Sequence, residues 1–277
     1  MNRIGLDFIS VLGLPPLDYI ALAARLGYTD IGIAPGPVVS VPDLFPAWTL
    51  RDNPGLIRDV RAAVADHGLH IAVGEGFFLL PGGDVAASAA DLDLLAEVGA
   101  PRCTIVSFEG DRALAFDRLA QFAELATARG LGAQIEFVPG LGIGDLPTAL
   151  AAVEHVGRPD FGLVIDAMHL FRSGASAADV AALDPAIIAH IQLCDVPVAV
   201  AAEGYGYEAS FERLCPGAGE LPLQSLVDAL PRGRTIGLEI PMKTRTLAGD
   251  SFDDQFAPCL AATRAMLALS ENGATAG

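Results

Sequence analysis

Four side chains with oxygen donor atoms lie at or near the ends of four short apolar segments. They are Glu136, Asp166, Gln192 and Glu239, in the segments GAQIEFV, FGLVID, IIAHIQLCD and TIGLEIP. Segments of this kind are typical of buried parallel strands, in which an isolated carboxylate is costly. Side chains from four strand ends converge only if those strands lie side by side. The pattern therefore predicts one active site that contains a single divalent metal ion.

The donor set indicates which metals the site would bind. Two glutamates, one aspartate and one amide oxygen are hard donors, which favour Mn²⁺ or Mg²⁺ and accept Co²⁺, whereas structural zinc sites use Cys or His. Three carboxylates around a dication leave one negative charge, so the ion is expected to bind a neutral, oxygen-rich substrate. At any one position a strand-end cap or an arginine pair is an equally good explanation, but the alignment of all four favours the metal.

Three further residues are candidate substrate contacts. His169 follows a predicted strand in IDAMHLFRSG and could hydrogen-bond substrate oxygens or orient a metal ligand. Arg213 is the only basic residue in the long connection 196–220, and long loops of this type often cover a substrate. Glu75 ends the third predicted strand and is expected at the pocket wall. For His190 a core position, and for Arg172 a structural ion pair, is the favoured interpretation.

Strand-like and helix-like segments alternate along the whole chain and must position these residues. Strands are predicted at 4–9, 30–34, 69–74, 102–108, 133–138, 161–165, 187–194 and 235–240. Helices are predicted at 17–26, 54–67, 85–98, 112–129, 146–156, 177–183, 221–230 and 253–269. Eight strand–helix units of about 30 residues favour a single-domain (β/α)8 TIM barrel over 1–277. An open doubly wound sheet is the alternative, and about eight residues at the end, 270–277, are expected to fray.

The amino-acid composition indicates which classes of molecule the protein is expected to bind. The net charge is −17, from 34 acidic and 17 basic residues, which disfavours nucleic acid and anionic membranes. No apolar stretch reaches the roughly 20 residues of a membrane span, and the first residues run into a strand pattern without a signal-peptide segment. The four cysteines form no CxxC pair. We therefore expect a reduced, cytoplasmic protein that acts on a small molecule.

Beyond these patterns, the chain resembles the xylose isomerase-like barrel family, which includes sugar isomerases, ketose 3-epimerases and endonuclease IV. The resemblance covers most of the chain and is strongest over 134–241, in the pieces QIEF, IDAMH, HIQLCDVP, RLCPGAGELPL and LEIP. It implies that one metal ion is bound by Glu136, Asp166, Gln192 and Glu239. It also implies substrate contacts for residues His169 and Arg213. Dimers and tetramers are common among similar proteins, so a homodimer or homotetramer is implied as well.

The glutamine narrows the resemblance within this family. Most ketose epimerases have His where this chain has Gln192, whereas hydroxypyruvate isomerases and 3-dehydroshikimate dehydratases are similar to it in having Gln. The PGxGE run after Arg213 also resembles hydroxypyruvate isomerase. Two departures stand against a direct transfer of activity: EFVPG replaces the segment in which ketose epimerases often have Asn, and the SRHF-type run of many dehydratases is absent.

Four functions follow from these observations. The leading one is a metal-dependent isomerase or epimerase, in which Glu136 and Glu239 move a proton through an enediolate of a hydroxy-carbonyl compound. A dehydratase or lyase of the 3-dehydroshikimate dehydratase type would need a general acid, for which His169 is the candidate. Phosphodiester cleavage fits poorly with five histidines and an acidic chain, and a non-catalytic barrel would bind no metal or exchange no protons. Aromatic residues of the predicted loops suit a ring-bearing ligand as well as a free sugar.

Overall fold

The computed structural model describes residues 3–39 and 41–275, which form a closed barrel of eight parallel strands. Each strand pairs with the next in chain order, and the last strand returns to the first. The predicted (β/α)8 barrel is therefore confirmed. The strands are β1 Arg3–Leu6, β2 Asp30–Ile33, β3 His70–Leu79, β4 Arg102–Ser107, β5 Gly132–Glu136, β6 Phe161–Asp166, β7 Ile188–Leu193 and β8 Thr235–Leu238.

Helices surround the barrel, and short additional helices lie in the connections that follow β6, β7 and β8. These additional helices are α6, α8 and α10. The helices are α1 Pro16–Leu26, α2 Pro54–Asp66, α3 Ala89–Val98, α4 Arg112–Thr127, α5 Leu146–Val156, α6 Ala167–Arg172, α7 Ala177–Ala181, α8 Tyr205–Phe211, α9 Leu223–Ala229, α10 Lys243–Leu247 and α11 Phe252–Thr275. Within the described ranges, no helix combines the length and hydropathy of a transmembrane segment.

Local sequence sets the ends of helix α5. The side chain of Asp145 accepts a hydrogen bond from the backbone N–H of Thr148 at 2.8 Å, which satisfies a free donor of the first turn. Gly157 ends the helix with a φ of 62°, a left-handed conformation that glycine adopts at little cost. The bounds predicted from the sequence, 146–156, agree with the structure because both signals are local.

Most elements differ from their predicted bounds by one or more residues, among them β1, β3 and the last helix. β1 ends at Leu6, and Phe8–Val11 form a 3-10 turn that is largely buried. Because this turn is apolar, its sequence resembles the continuation of a buried strand. β3 extends beyond the predicted end to Leu79, across an irregularity in its pairing with β4 and a Gly76 φ of 95°. The last helix continues to Thr275, where fraying was expected from residue 270, and residues 276 and 277 lie outside the described part.

The interior of the barrel contains acidic side chains where glycines leave room for them. A Cβ atom at Gly237 in β8 would lie 2.2 Å from a carboxylate oxygen of Asp7, and one at Gly32 in β2 would lie 2.0 Å from Glu75 Oε1. Both carboxyl groups are buried, and Asp7 is bonded to Nε2 of His190 at 3.1 Å. His190 thus has the core position predicted for it. Asp7, Glu75 and His190 form a polar layer in the barrel interior. It lies next to the strand ends that carry the candidate site.

Candidate metal and active site

The four residues of the predicted metal site lie at the C-terminal ends of four neighbouring strands. Glu136 and Asp166 are the last residues of β5 and β6. Gln192 is the penultimate residue of β7 and pairs in register with Asp166, while Glu239 directly follows β8. All four are buried, with at most 8% of their surface exposed. The barrel thus puts three carboxyl groups and one amide at one end of a sheet, largely shielded from water.

Arg213 joins two of these carboxylates. Its Nη1 lies 2.6 Å from Asp166 Oδ2, and its Nη2 lies 2.7 Å from Glu239 Oε2. Nε donates to the carbonyl of Ala209 in α8 at 2.8 Å, so the connection after β7 orients the guanidinium. Gln192 Nε2 donates to Glu239 Oε1 at 2.8 Å. Arg213 therefore lies beside the residues of the predicted metal site. Its contacts are to protein carboxylates, and the contact with substrate stays a prediction.

The two carboxyl groups that share this arginine differ in their pKa. Burial opposes ionisation of Asp166, but Arg213 and His169, with hydrogen bonds from both, outweigh it and lower the pKa of that carboxyl below its usual value. Burial raises the pKa of Glu239 well above its usual value, and the nearby carboxylates of Glu136 and Asp166 raise it further, although Arg213 opposes them. These opposite directions favour the ionised form of Asp166 and the neutral form of Glu239.

The arrangement fits a divalent cation. Glu136, Asp166 and His169 each offer one ligand atom, and these atoms lie within 4.8 Å of one another. Gln192 Oε1 is buried and has no hydrogen-bond partner in the part of the chain that the structure describes. An unsatisfied buried oxygen costs about 1–3 kcal/mol, which a metal–oxygen contact would offset. Most of the donors are carboxylate and amide oxygens, which suit Mg²⁺ and Mn²⁺, whereas the imidazole of His169 also suits zinc and iron.

His169 lies closer to the carboxylates than its predicted role as a substrate contact required. It belongs to α6, whose first turn begins directly after Asp166, and its backbone N–H donates to Asp166 Oδ1 at 2.7 Å. Nε2 lies 3.3 Å from Glu136 Oε1, and Nδ1 is hydrogen-bonded to the hydroxyl of Tyr205. The sequence does not indicate this contact, since nothing local to Tyr205 points to a histidine partner 36 positions away.

A cavity of about 460 Å³ opens above these groups at the mouth of the barrel. Its floor is polar and includes all the predicted site residues except Asp166, which is not part of the lining. Glu75 is part of this lining, and its Oε1 accepts a hydrogen bond from the backbone N–H of Phe8 at 3.1 Å. Burial, and then the charge of Asp7, raise the pKa of Glu75 well above its usual value. The upper walls are apolar and include Val38, Phe77, Phe78, Phe108, Val138 and Leu141.

Asp195 holds the connection that carries Arg213, a role that the sequence did not indicate. Oδ1 of Asp195 accepts from the backbone N–H groups of Val196 at 2.9 Å and Leu221 at 3.0 Å, and Oδ2 accepts from Gly217 at 2.9 Å. Its backbone also forms an antiparallel bridge to Leu214. The buried carboxylate of Asp195 thus holds the two ends of the connection 196–220 together beside Arg213.

Arg172 and Glu208 hold α8 against α6. Arg172 Nη2 lies 3.3 Å from Glu208 Oε2 and donates to the carbonyl of Pro197 at 2.7 Å. The structural ion pair predicted for Arg172 is confirmed. Because α8 carries Tyr205 and Ala209, this pair also supports the contacts to His169 and Arg213.

Comparisons with known proteins agree with this fold. The model of a family described as xylose isomerase-like TIM barrel matches residues 20–254. No curated protein matches the chain. Among solved structures, the IOLI protein with a bound zinc atom is 14% identical, with a TM-score of 0.80 over 97% of this chain and 99% of the other.

Two further solved structures differ in their stated activities. L-ribulose 3-epimerase is 16% identical, with a TM-score of 0.73 over 99% of this chain and 97% of the other. A protein described as the probable 3-DHS dehydratase AsbF of Bacillus anthracis is 17% identical, with a TM-score of 0.68 over 86% of this chain and 92% of the other. Likeness at these identities establishes the fold, which is shared by isomerases, epimerases and dehydratases alike.

Proposed function

The chain belongs to the xylose isomerase-like TIM-barrel family, and from this membership we propose that it is a divalent-metal-dependent isomerase or epimerase of a sugar-like hydroxy-carbonyl compound. The observation that carries the proposal is the buried Gln192 Oε1, which has no hydrogen-bond partner among the described residues. Gln192 lies in a cavity lining with Glu136 and Glu239, and Asp166 is its neighbour on β6. A structural ion-pair cluster would have no need of a cavity above it or of an unsatisfied amide oxygen within it.

Glu136, Asp166, Gln192 and Glu239 would hold the ion, with His169 close enough to Glu136 and Asp166 to complete or orient the set. When bound, a divalent ion supplies Lewis-acid stabilisation of the negative charge that develops on substrate oxygens, an effect worth several kcal/mol. Manganese or magnesium is the expected metal because most of the donors are hard oxygens.

The proton chemistry is assigned to Glu136 and Glu239, which come from β5 and β8 and both line the cavity. One would take a proton from the carbon next to the carbonyl, and the other would return a proton to the neighbouring carbon or to the opposite face. Arg213 contributes positive charge at Glu239, and Tyr205 holds the ring of His169 so that Nε2 faces the floor.

The first experiment measures bound metal and proton exchange together. Wild-type protein, Glu239→Gln and the control Glu97→Gln, an exposed glutamate in α3, are analysed for metal content after exposure to Mn²⁺. Each is then incubated in D₂O with a panel of ketoses and hydroxy-ketones. We expect about one metal ion and metal-dependent deuterium uptake for wild type and Glu97→Gln, and loss of both for Glu239→Gln. Absence of metal from the wild type would overturn the proposal.

A metal-dependent dehydratase is the second candidate, and the position of His169 is the observation that favours it. Its Nε2 lies 3.3 Å from Glu136 Oε1, so an acid and a base would stand side by side over one substrate. Loss of a β-hydroxyl would form a conjugated carbonyl product with a new ultraviolet absorbance. Deuterium uptake without such absorbance supports the isomerase or epimerase, and the appearance of the absorbance supports the dehydratase.

A further inference from the structure

The rim of the cavity carries exposed aromatic side chains. Phe78, in β3, is 45% exposed and Phe108, just after β4, is 43% exposed. Their ring centroids lie 5.9 Å apart at an interplanar angle of 68°, which is an edge-to-face arrangement. Both rings are part of the cavity lining. Leaving such rings in contact with water is unfavourable, and contact with a ligand would remove that cost. Large exposed apolar groups beside a pocket are a common mark of ligand contact.

The polar floor, by contrast, is acidic and has no basic group to spare. Arg213 is the only Lys or Arg among the described residues that line the cavity. Both of its terminal nitrogens are already bonded, one to Asp166 and one to Glu239, and 3% of the residue is exposed. A phosphate or carboxylate of a ligand would lose its hydration here and face like charges.

We propose that the cavity accepts an uncharged hydroxy-carbonyl compound that carries an apolar, planar ring. The hydroxy-carbonyl end lies against the polar floor, and the ring lies against the edge formed by Phe78 and Phe108. The volume of about 460 Å³ falls in the range of pockets that hold ligands larger than a simple sugar fragment. The position of the polar end rests on the proposed function, whereas the ring subsite rests on the aromatic rim alone.

Two small ligands separate the contributions of the two ends. 2-Hydroxyacetophenone and dihydroxyacetone share the same hydroxymethyl ketone and differ in a phenyl group in place of a hydroxymethyl group. Calorimetry on protein loaded with Mn²⁺ should show at least about tenfold tighter binding of the phenyl compound, because binding removes its ring from water. Dihydroxyacetone phosphate should bind at least about tenfold more weakly than dihydroxyacetone.

Variants of the rim then test the ring subsite. Phe78→Ala and Phe108→Ala should each reduce the preference for the phenyl compound by about two- to tenfold, while the affinity for dihydroxyacetone stays unchanged. Leu269 is an exposed apolar side chain in α11 that does not line the cavity. Leu269→Ala is the control and should change neither affinity. Because both phenylalanines are largely exposed, melting temperatures close to wild type are expected and are measured alongside.

Each part can fail separately. Equal affinity for the two ketones, or a preference that survives both Phe→Ala changes, overturns the ring subsite. Tighter binding of dihydroxyacetone phosphate overturns the requirement for an uncharged ligand. If the phenyl preference holds but Mn²⁺ does not bind and no solvent deuterium enters any ligand, the ring subsite stands and the proposed function fails. Deuterium exchange without a phenyl preference gives the reverse result.

Discussion

Arg213 and Asp166 form a buried ion pair across 47 positions of sequence, with 2.6 Å between Nη1 and Oδ2. The same guanidinium also reaches Glu239, so one cation faces two carboxyl groups in a site shielded from water. Removal of the guanidinium leaves the Asp166 carboxylate buried without its cation, which is far more costly than the loss of an exposed pair. A divalent ion bound beside them would compensate for that loss.

Arg213→Ala should therefore destabilise the metal-free protein by about 3–5 kcal/mol, because Asp166 and Glu239 lose their shared cation. Urea unfolding in the presence of EDTA measures this change, and addition of Mn²⁺ should recover part of it. Arg245→Ala is the matched control: its ion pair with Asp250 is about half exposed and should contribute at most about 1 kcal/mol. Equal effects of the two substitutions would contradict the assignment.

Binding of Mn²⁺ should release a proton and strengthen as the pH rises. The raised pKa of Glu239 favours its neutral form in the metal-free protein, whereas a metal ligand must be ionised. Below that raised pKa, affinity should rise by up to about tenfold for each pH unit, and above it the dependence should disappear. Calorimetry of Mn²⁺ binding to the wild type in two buffers of different ionisation enthalpy counts the released proton. Equal binding heats in the two buffers would contradict the prediction.

Asp195→Ala should loosen the connection that orients Arg213. Three backbone N–H groups lose their acceptor, at a cost of about 1–3 kcal/mol for each that stays buried and unpaired. We expect reduced stability and faster proteolysis within 196–220, while the rest of the barrel remains protected. Asp195→Asn keeps one side-chain oxygen as an acceptor. Its stability should therefore lie between those of the wild type and Asp195→Ala. Cleavage spread evenly over the chain would argue against a local role.

Gly237→Ala tests the polar layer within the barrel. The new Cβ atom would lie 2.2 Å from Asp7, which is held in place by its bond to His190. We expect destabilisation of about 1–3 kcal/mol, measured by urea unfolding, because neither the strand nor the carboxylate can move freely. Gly110→Ala is the control, since no described atom outside its chain neighbours lies within 4 Å of its Cβ position. The stability of this variant should be unchanged or slightly higher.

The sequence by itself determined the barrel class and most element positions. Helix caps such as Asp145 and Gly157 act within one turn, so α5 could be predicted to the residue. The alternation of strand and helix units predicted the closed barrel. Because the end of a strand can be recognised from neighbouring residues, the sequence also predicted that one end of the barrel carries Glu136, Asp166, Gln192 and Glu239. Their binding of a metal stays a prediction.

Only the tertiary structure decided how these side chains are partnered. The Arg213–Asp166 pair depends on how the connection after β7 folds back, and the bond between Asp7 and His190 spans 183 positions. The rim formed by Phe78 and Phe108 depends on the irregular register of β3 against β4. Periodicity and capping are properties of neighbouring residues, whereas register, loop packing and the sharing of one charge between two acids arise only when distant segments meet.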